Sequence, residues 1–473
     1  MVIKGLLALG LIGAGLLPAV PSNAARIDWK PCEEGQPAEC ARLTVPLDYA
    51  KPGKGKTELL IARVPARDQA HKLGVLTFNP GGPGGPGASM LAAGIVGDLF
   101  GEELRDRFDV VSFDPRGTGG SSQLDCGPVL RPGVPVFPDS KRSYDAMVAA
   151  SRELGKACLA KNGDLMRHLD TRTAARDLDS VRAALGVRKL SYFGPSYGSY
   201  LGATYAQLFP HRIDRMVLDG IVDHSQGSTG FVLSEAREME RGFDRMAAWC
   251  AATPECALHG RDVGKVFDAV VRKADRRPLP AGSTTVNGDQ IRMALPMFLP
   301  TLGGFEGPWT AFASALAKAS DAGDGSGFVG NSYVGFPESA YAAVSCMDFP
   351  GEFRGYADVR ARLAVARAVA PRVGAAVEGW VMAAACSGWP IPPTNPWKPT
   401  PIKDAPPVLI LNNTHDPATP LAGAISLQRQ IRGSRLLVSD TYGHTSWFNN
   451  ECARNHASTY FLTGKLPARG TTC

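Results

Sequence analysis

The sequence predicts an α/β fold: a mostly parallel sheet flanked by helices and interrupted by a largely helical insertion. Three observations carry this expectation. Short apolar runs bounded by Gly or Pro alternate with helical patterns through the first half of the chain. That alternation lapses from about residue 223 and returns at Val408. Between an apolar run and a helical pattern lies Gly194-Pro-Ser-Tyr-Gly198, the setting of a sharp strand-to-helix turn.

Taken in order, Thr57–Pro65, Gly74–Phe78 and Phe108–Phe113 read as strands, rich in Val, Ile, Leu and Phe. A glycine-rich loop, Asn79 to Gly87, follows the second, and the tight turn Asp114 to Gly120 follows the third. Thr171 to Leu185 is the clearest helix. Ala174, Leu178, Val181 and Leu185 recur on one face, Asp170 or Thr171 caps its start and Gly186 stops it. The strand Lys189–Phe193, a helix from Ser199 to Phe209 and a strand at Arg215–Leu218 come next. Residues 231–386 are mainly helical, with Phe231–Ala252 amphipathic. A proline-rich connector from Trp389 to Pro407 leads to strands at Val408–Leu411 and Leu436–Val438. These changes divide the chain into a leader (1–24), a first core segment (25–222), a helical lid (223–400) and a closing core segment (401–473).

Bulk properties narrow the function. Hydrophobic residues make up 44% and charged residues 20% of the 473, an ordinary globular composition. The net charge of +6 is scattered, which speaks against a nucleic-acid surface. Lys4 precedes an apolar stretch from Gly5 to Leu17, and Ser22-Asn-Ala24 has the small-x-small form of a cleavage site. This reads as a secretory signal, too short to span a bilayer, and predicts a secreted protein without stable membrane insertion. Ten cysteines in an exported chain suggest disulfides, and short loops favour Cys32–Cys40, Cys126–Cys158, Cys250–Cys256, Cys346–Cys386 and Cys452–Cys473. No C-x-x-C pair or metal-ligand spacing occurs, so neither metal nor cofactor is expected.

Gly194–Gly198 is the only G-x-S-x-G in the chain, and it offers Ser196 as a nucleophile. Alone it also reads as a glycine-rich turn whose serine caps a helix. A nucleophilic serine needs a base, a group to orient that base, and donors for the oxyanion. His444, just past the last strand, is the candidate base, with His456 and His415 as rivals. Asp416, on the loop after Val408–Leu411, is the candidate acid, with Asp440 as runner-up. The oxyanion donors expected are the backbone N–H groups of Tyr197 and of Gly82 or Gly81.

Together, Asn79-Pro-Gly-Gly-Pro-Gly84, Asp114-Pro-Arg-Gly117, Gly194-Pro-Ser-Tyr-Gly198, Asp416-Pro-Ala-Thr-Pro420 and Gly443-His-Thr445 make the chain resemble the secreted tripeptidyl aminopeptidases of actinomycetes, in the prolyl-iminopeptidase-like branch of the α/β-hydrolases. The helix around Asp170–Asp179 and the lid segment Phe243–Cys250 share the likeness. The resemblance implies a Ser196–His444–Asp416 triad under a lid and release of short peptides from free N-termini. It also keeps open a carboxylesterase using the same triad. In related prolyl iminopeptidases lid glutamates hold the substrate ammonium. Glu240 and Glu238 are the candidates here, with Glu235 and Asp348 also in the lid. The expected partner is a peptide with a free N-terminus, acted on by a monomer.

Overall fold

The computed structural model describes residues 27–34, 36–95, 99–127, 134–299, 306–329 and 338–473. The proposed leader lies outside them. Nine strands form one sheet: β1 (Lys30–Pro31), β2 (Glu39–Pro46), β3 (Lys56–Val64), β4 (Gly74–Phe78), β5 (Phe108–Phe113), β6 (Leu190–Pro195), β7 (Ile213–Asp219), and, after a lid hairpin of β8 (Leu279–Ala281) and β9 (Thr284–Val286), β10 (Val408–His415) and β11 (Arg435–Tyr442). Their spatial order is β1-β2-β3-β5-β4-β6-β7-β10-β11. The six from β5 to β11 run parallel, and β1–β3 add an antiparallel edge.

The continuous apolar runs of the central strands follow from burial on both faces. Val75, Val111, Tyr192, Met216, Leu218, Val408 and Ile410 pack on one side of the sheet. Leu76, Val110, Phe193, Val217, Leu409, Leu411 and Leu437 alternate with them and pack on the other. β4 and β5 fall where the sequence places them. β10 and β11 run four residues past their expected ends, through polar residues such as Asn412 and Asn413 that carry no strand signal. β1, β2, the β8–β9 hairpin and the long helix Lys141–Asn162 were not anticipated from the sequence.

Between β7 and β10 the helices gather around Phe243, Phe267, Phe312 and Leu295, a core of their own. Helices Glu338–Asp348 and Glu378–Ala385 differ. Tyr341, Val344, Met347 and Met382 on them pack into the same cluster as the sheet-side residues Tyr197 and Tyr200. All five expected disulfides are present.

Candidate active site

β4, β6, β7, β10 and β11 are neighbours, and the loops leaving their carboxyl ends converge, the usual site position in an open parallel sheet. Ser196 follows β6 with φ +57° and ψ −131°, a strained conformation for a residue with a side chain. Two glycines permit it. A Cβ on Gly194 would lie 2.3 Å from the Gly198 carbonyl oxygen, and one on Gly198 would lie 2.5 Å from that of Asn79. The Ser196 N–H donates to the Asp219 carbonyl at 2.8 Å, which ties the turn to the end of β7.

Asp416 is fully buried, and its carboxylate accepts from Ala418 N at 3.0 Å, Thr419 N at 2.9 Å, Thr419 Oγ1 at 2.8 Å and Thr445 N at 3.0 Å. It also meets His444 Nδ1 at 3.0 Å. Because a carboxylate only accepts here, the Nδ1 proton points to Asp416 and leaves Nε2 on the outer side of the ring. The ring lies over Gly220, where a Cβ would sit 3.3 Å from His444 Cε1. Gly220 follows Asp219, the residue that holds the Ser196 N–H. Burial opposes charge on the imidazole, but the Asp416 carboxylate outweighs it, with help from Glu378 and Asp219. The His444 pKa therefore stands above the ordinary histidine value.

Two further side chains fix this geometry and were not anticipated. Asp219 accepts from Ser446 N at 2.8 Å and Trp447 N at 2.7 Å, pinning the turn just after His444. Asn413 donates to the carbonyls of Gly443 and Thr445, each at 2.9 Å, pinning the turn around it. The rivals serve elsewhere. His415 contacts Arg245 and faces Asp440 at 3.6 Å, with the Asp440 side chain 85% exposed. His456 stands beside the Cys452–Cys473 disulfide.

The glycine-rich loop after β4 comes against the serine. A Cβ on Gly81 would lie 3.1 Å from Ser196 Cβ and 3.4 Å from Tyr197 N. The Gly81 N–H donates to Asn79 Oδ1 at 3.1 Å, so this amide already has an acceptor. Tyr197 is the first residue of its helix, so its N–H has no intrahelical acceptor. The Asp114-Pro-Arg-Gly turn is structural. Asp114 accepts from Ser89 N and Gly120 N, and buried Arg116 pairs with buried Asp177 through two hydrogen bonds of 2.7 and 2.6 Å.

The lid glutamates divide differently from expectation. Glu240 accepts from Arg372 N and Val373 N, each at 3.0 Å, and from Arg372 Nη1 at 3.2 Å, so its carboxylate is committed to the lid framework. Glu238 pairs with Arg241 one turn on. Burial nevertheless raises its pKa, and the Asp416 charge reaches it. Glu235, fully buried, accepts from Gly379 N at 2.8 Å. Burial and then the neighbouring carboxylates of Glu378 and Asp416 push its pKa well up. Glu378, which sequence reasoning missed, accepts a hydrogen bond from the Tyr341 phenol. Glu235 accepts from Gly379 N, the residue after Glu378, so the two carboxyls are neighbours, and the Glu378 charge helps raise both Glu235 and His444.

Residues 74–299 match the family described as alpha/beta hydrolase fold, and residues 373–473 match the one described as TAP-like protein. The chain is 31% identical over 98% of its length to the tripeptidyl aminopeptidase of Streptomyces lividans, covering 89% of that protein. It is 30% identical to serine protease Hip1 of Mycobacterium tuberculosis, covering 98% of this chain and 94% of the other. A carboxylesterase B of the same organism is 31% identical, at 98% and 92% coverage.

Proposed function

We propose, because this chain belongs to the tripeptidyl aminopeptidase family of α/β-hydrolases, that it is a secreted serine exopeptidase releasing short peptides, three residues long, from free N-termini. Ser196 Oγ attacks the scissile carbonyl carbon while His444 Nε2 takes its proton. Asp416 holds the Nδ1–H and stabilises the imidazolium. The N–H groups of Tyr197 and Gly82 receive the oxyanion. The tetrahedral intermediate collapses as His444 protonates the departing amine. Water, activated by the same imidazole, then frees the acyl group and regenerates Ser196.

One observation carries the peptidase reading over the esterase one: the Glu235 and Glu378 carboxyls are brought together in the lid, Glu235 accepting from Gly379 N, the residue after Glu378. The charges felt by Glu235 are negative, so an incoming ammonium relieves the cost of gathering them. An ester has no such group. The amine subsite is therefore assigned to Glu235 and Glu378 instead of Glu240 and Glu238. Five disulfides support an oxidising compartment, and no helix among the described residues is long and apolar enough to cross a membrane.

The test compares a free-amine tripeptidyl anilide, its N-acetylated form and a short acyl ester. Acetylation removes the positive charge from a buried pair and is expected to cost about 100-fold or more in kcat/KM. Equal cleavage of both anilides, with faster ester turnover, would establish the carboxylesterase instead. Ser196→Ala is expected to abolish turnover of all three substrates with the fold intact, and retained activity would refute the nucleophile.

A further inference from the structure

Asp348 closes the helix Glu338–Asp348 and is fully buried. Its carboxyl oxygens accept from Thr171 N at 3.0 Å, Thr171 Oγ1 at 2.7 Å and Asn395 Nδ2 at 2.5 Å. Each partner leads to the helix that follows Ser196. The Thr171 hydroxyl lies 2.6 Å from the Tyr197 phenol oxygen, and Asn395 Nδ2 also donates to the Tyr200 hydroxyl at 2.6 Å. The Asp348 carbonyl accepts from His224 Nε2 at 2.7 Å, and that ring stacks on Tyr200 with centroids 4.4 Å apart. The whole set is buried directly behind the serine elbow.

The same helix reaches the proposed amine subsite at its other end. Tyr341 donates to Glu378, and a Cβ on Gly84 of the glycine-rich loop would touch Ala340 Cβ at 3.4 Å. The Cys346–Cys386 disulfide joins this helix to Glu378–Ala385, whose first residue is Glu378. The two helices thus form one wall, cross-linked near the Asp348 end. It carries the carboxylate at one end and is fastened under the nucleophile at the other. Tyr341, Val344, Met347 and Met382 of the wall pack with Tyr197 and Tyr200, while Trp380 ties it to the lid core.

We propose that Asp348 is a positioning residue that fixes the separation between Ser196 and the Glu378 carboxylate, and through it the length of the fragment released. This inference rests on the amine-binding reading given above. An extended peptide lengthens by about 3.4 Å per residue, so miscounting by one requires the wall to shift by that amount. A wall anchored through three hydrogen bonds to one buried carboxyl group does not shift so far. Freed at that end, it tolerates fragments one residue shorter or longer.

The test uses Asp348→Asn and the milder Asn395→Ala, which keeps the carboxyl group, in the full disulfide-bonded chain. Both digest an unblocked seven-residue peptide, with first products resolved by mass spectrometry. A short acyl ester is assayed beside it. The wild type is expected to release one fragment length. The variants are expected to release neighbouring lengths as well, with kcat/KM on the peptide falling about ten-fold further than on the ester, mostly through KM. A single unchanged length in both variants, with peptide and ester rates falling together, overturns the inference and leaves Asp348 as a support for the fold alone. If Asp348→Asn does not fold, Asn395→Ala decides by the same criterion. Wild-type indifference to N-acetylation overturns the function reading and this inference with it. Retained amine dependence with unchanged length overturns this inference only.

Discussion

At His444 burial and charge pull in opposite directions, and charge prevails. Its pKa is raised, so the neutral ring needed as a base forms only as the pH climbs past a value above 6.5. The acid limb of kcat/KM follows that raised value. Glu378 contributes part of the shift, so Glu378→Gln is expected to move the limb to lower pH. The short acyl ester reads this cleanly, because it has no amine to lose. An unmoved limb would place Glu378 too far from the ring to matter. Asp416→Asn is expected to cost about 10⁴-fold in kcat by leaving the wrong tautomer, measured against the wild type on the same ester. Ser196, Asp416 and His444 stand out in the sequence because each sits in a short motif just past a strand. Glu378 carries no such mark. It opens a short apolar helix far along the chain, and only the fold brings it to Glu235 and His444.

The elements behave less uniformly than their periodicity suggests. Helix Gly227–Ala252 reads as one amphipathic stretch, yet its three glutamates have three fates. Glu238 and Glu240, two positions apart, cannot share a face. Glu240 turns to the Arg372–Val373 backbone inside the lid, while Glu235 meets the Glu378 helix. Glu240→Ala leaves two backbone donors and the Arg372 side chain without this acceptor. It is expected to destabilise the protein by about 1–3 kcal/mol, seen as a lower Tm. The preference for free over acetylated anilide should survive. Loss of that preference with an unchanged Tm would return Glu240 to the amine subsite. The segment from Trp389 to Pro407 reads in sequence as a connector without periodicity. In the fold it delivers Asn395 to Asp348 and Tyr200, and stacks Trp397 on His224 with centroids 5.4 Å apart. A single side chain placed by an irregular backbone leaves no pattern to read.

Across the whole molecule, the sheet was legible where strands are buried on both faces and become apolar runs, in β4, β5, β6, β7 and β10. The edge strands β1 and β2, short or partly exposed, lack that signal. What the apolar pattern hid entirely is the charge enclosed beneath it, and this governs stability against pH. Burial raises Asp348 to about 8 and Asp219 to about 7 from an ordinary 3.8, and pushes Glu235 well up. In the unfolded chain these carboxyls are ionised near neutrality, whereas the folded state keeps their protons. The folded protein thus binds more protons, and its stability falls as pH rises through these folded values. His444, also raised, has the same sign. His224 has the opposite sign, because burial lowers it from 6.5 to about 4, but above 6.5 it is neutral in both states and contributes no slope. The window from about pH 6.5 to 8 is therefore governed by the raised groups, and Tm is expected to decline across it. Asp348→Asn removes one of them and should flatten the decline whatever it does to the absolute Tm. Calorimetry of both proteins at several pH values decides. A Tm that rises across the window, or a slope the variant leaves unaltered, would mean that Asp348 is already ionised in the fold and held by Thr171 and Asn395 as a carboxylate.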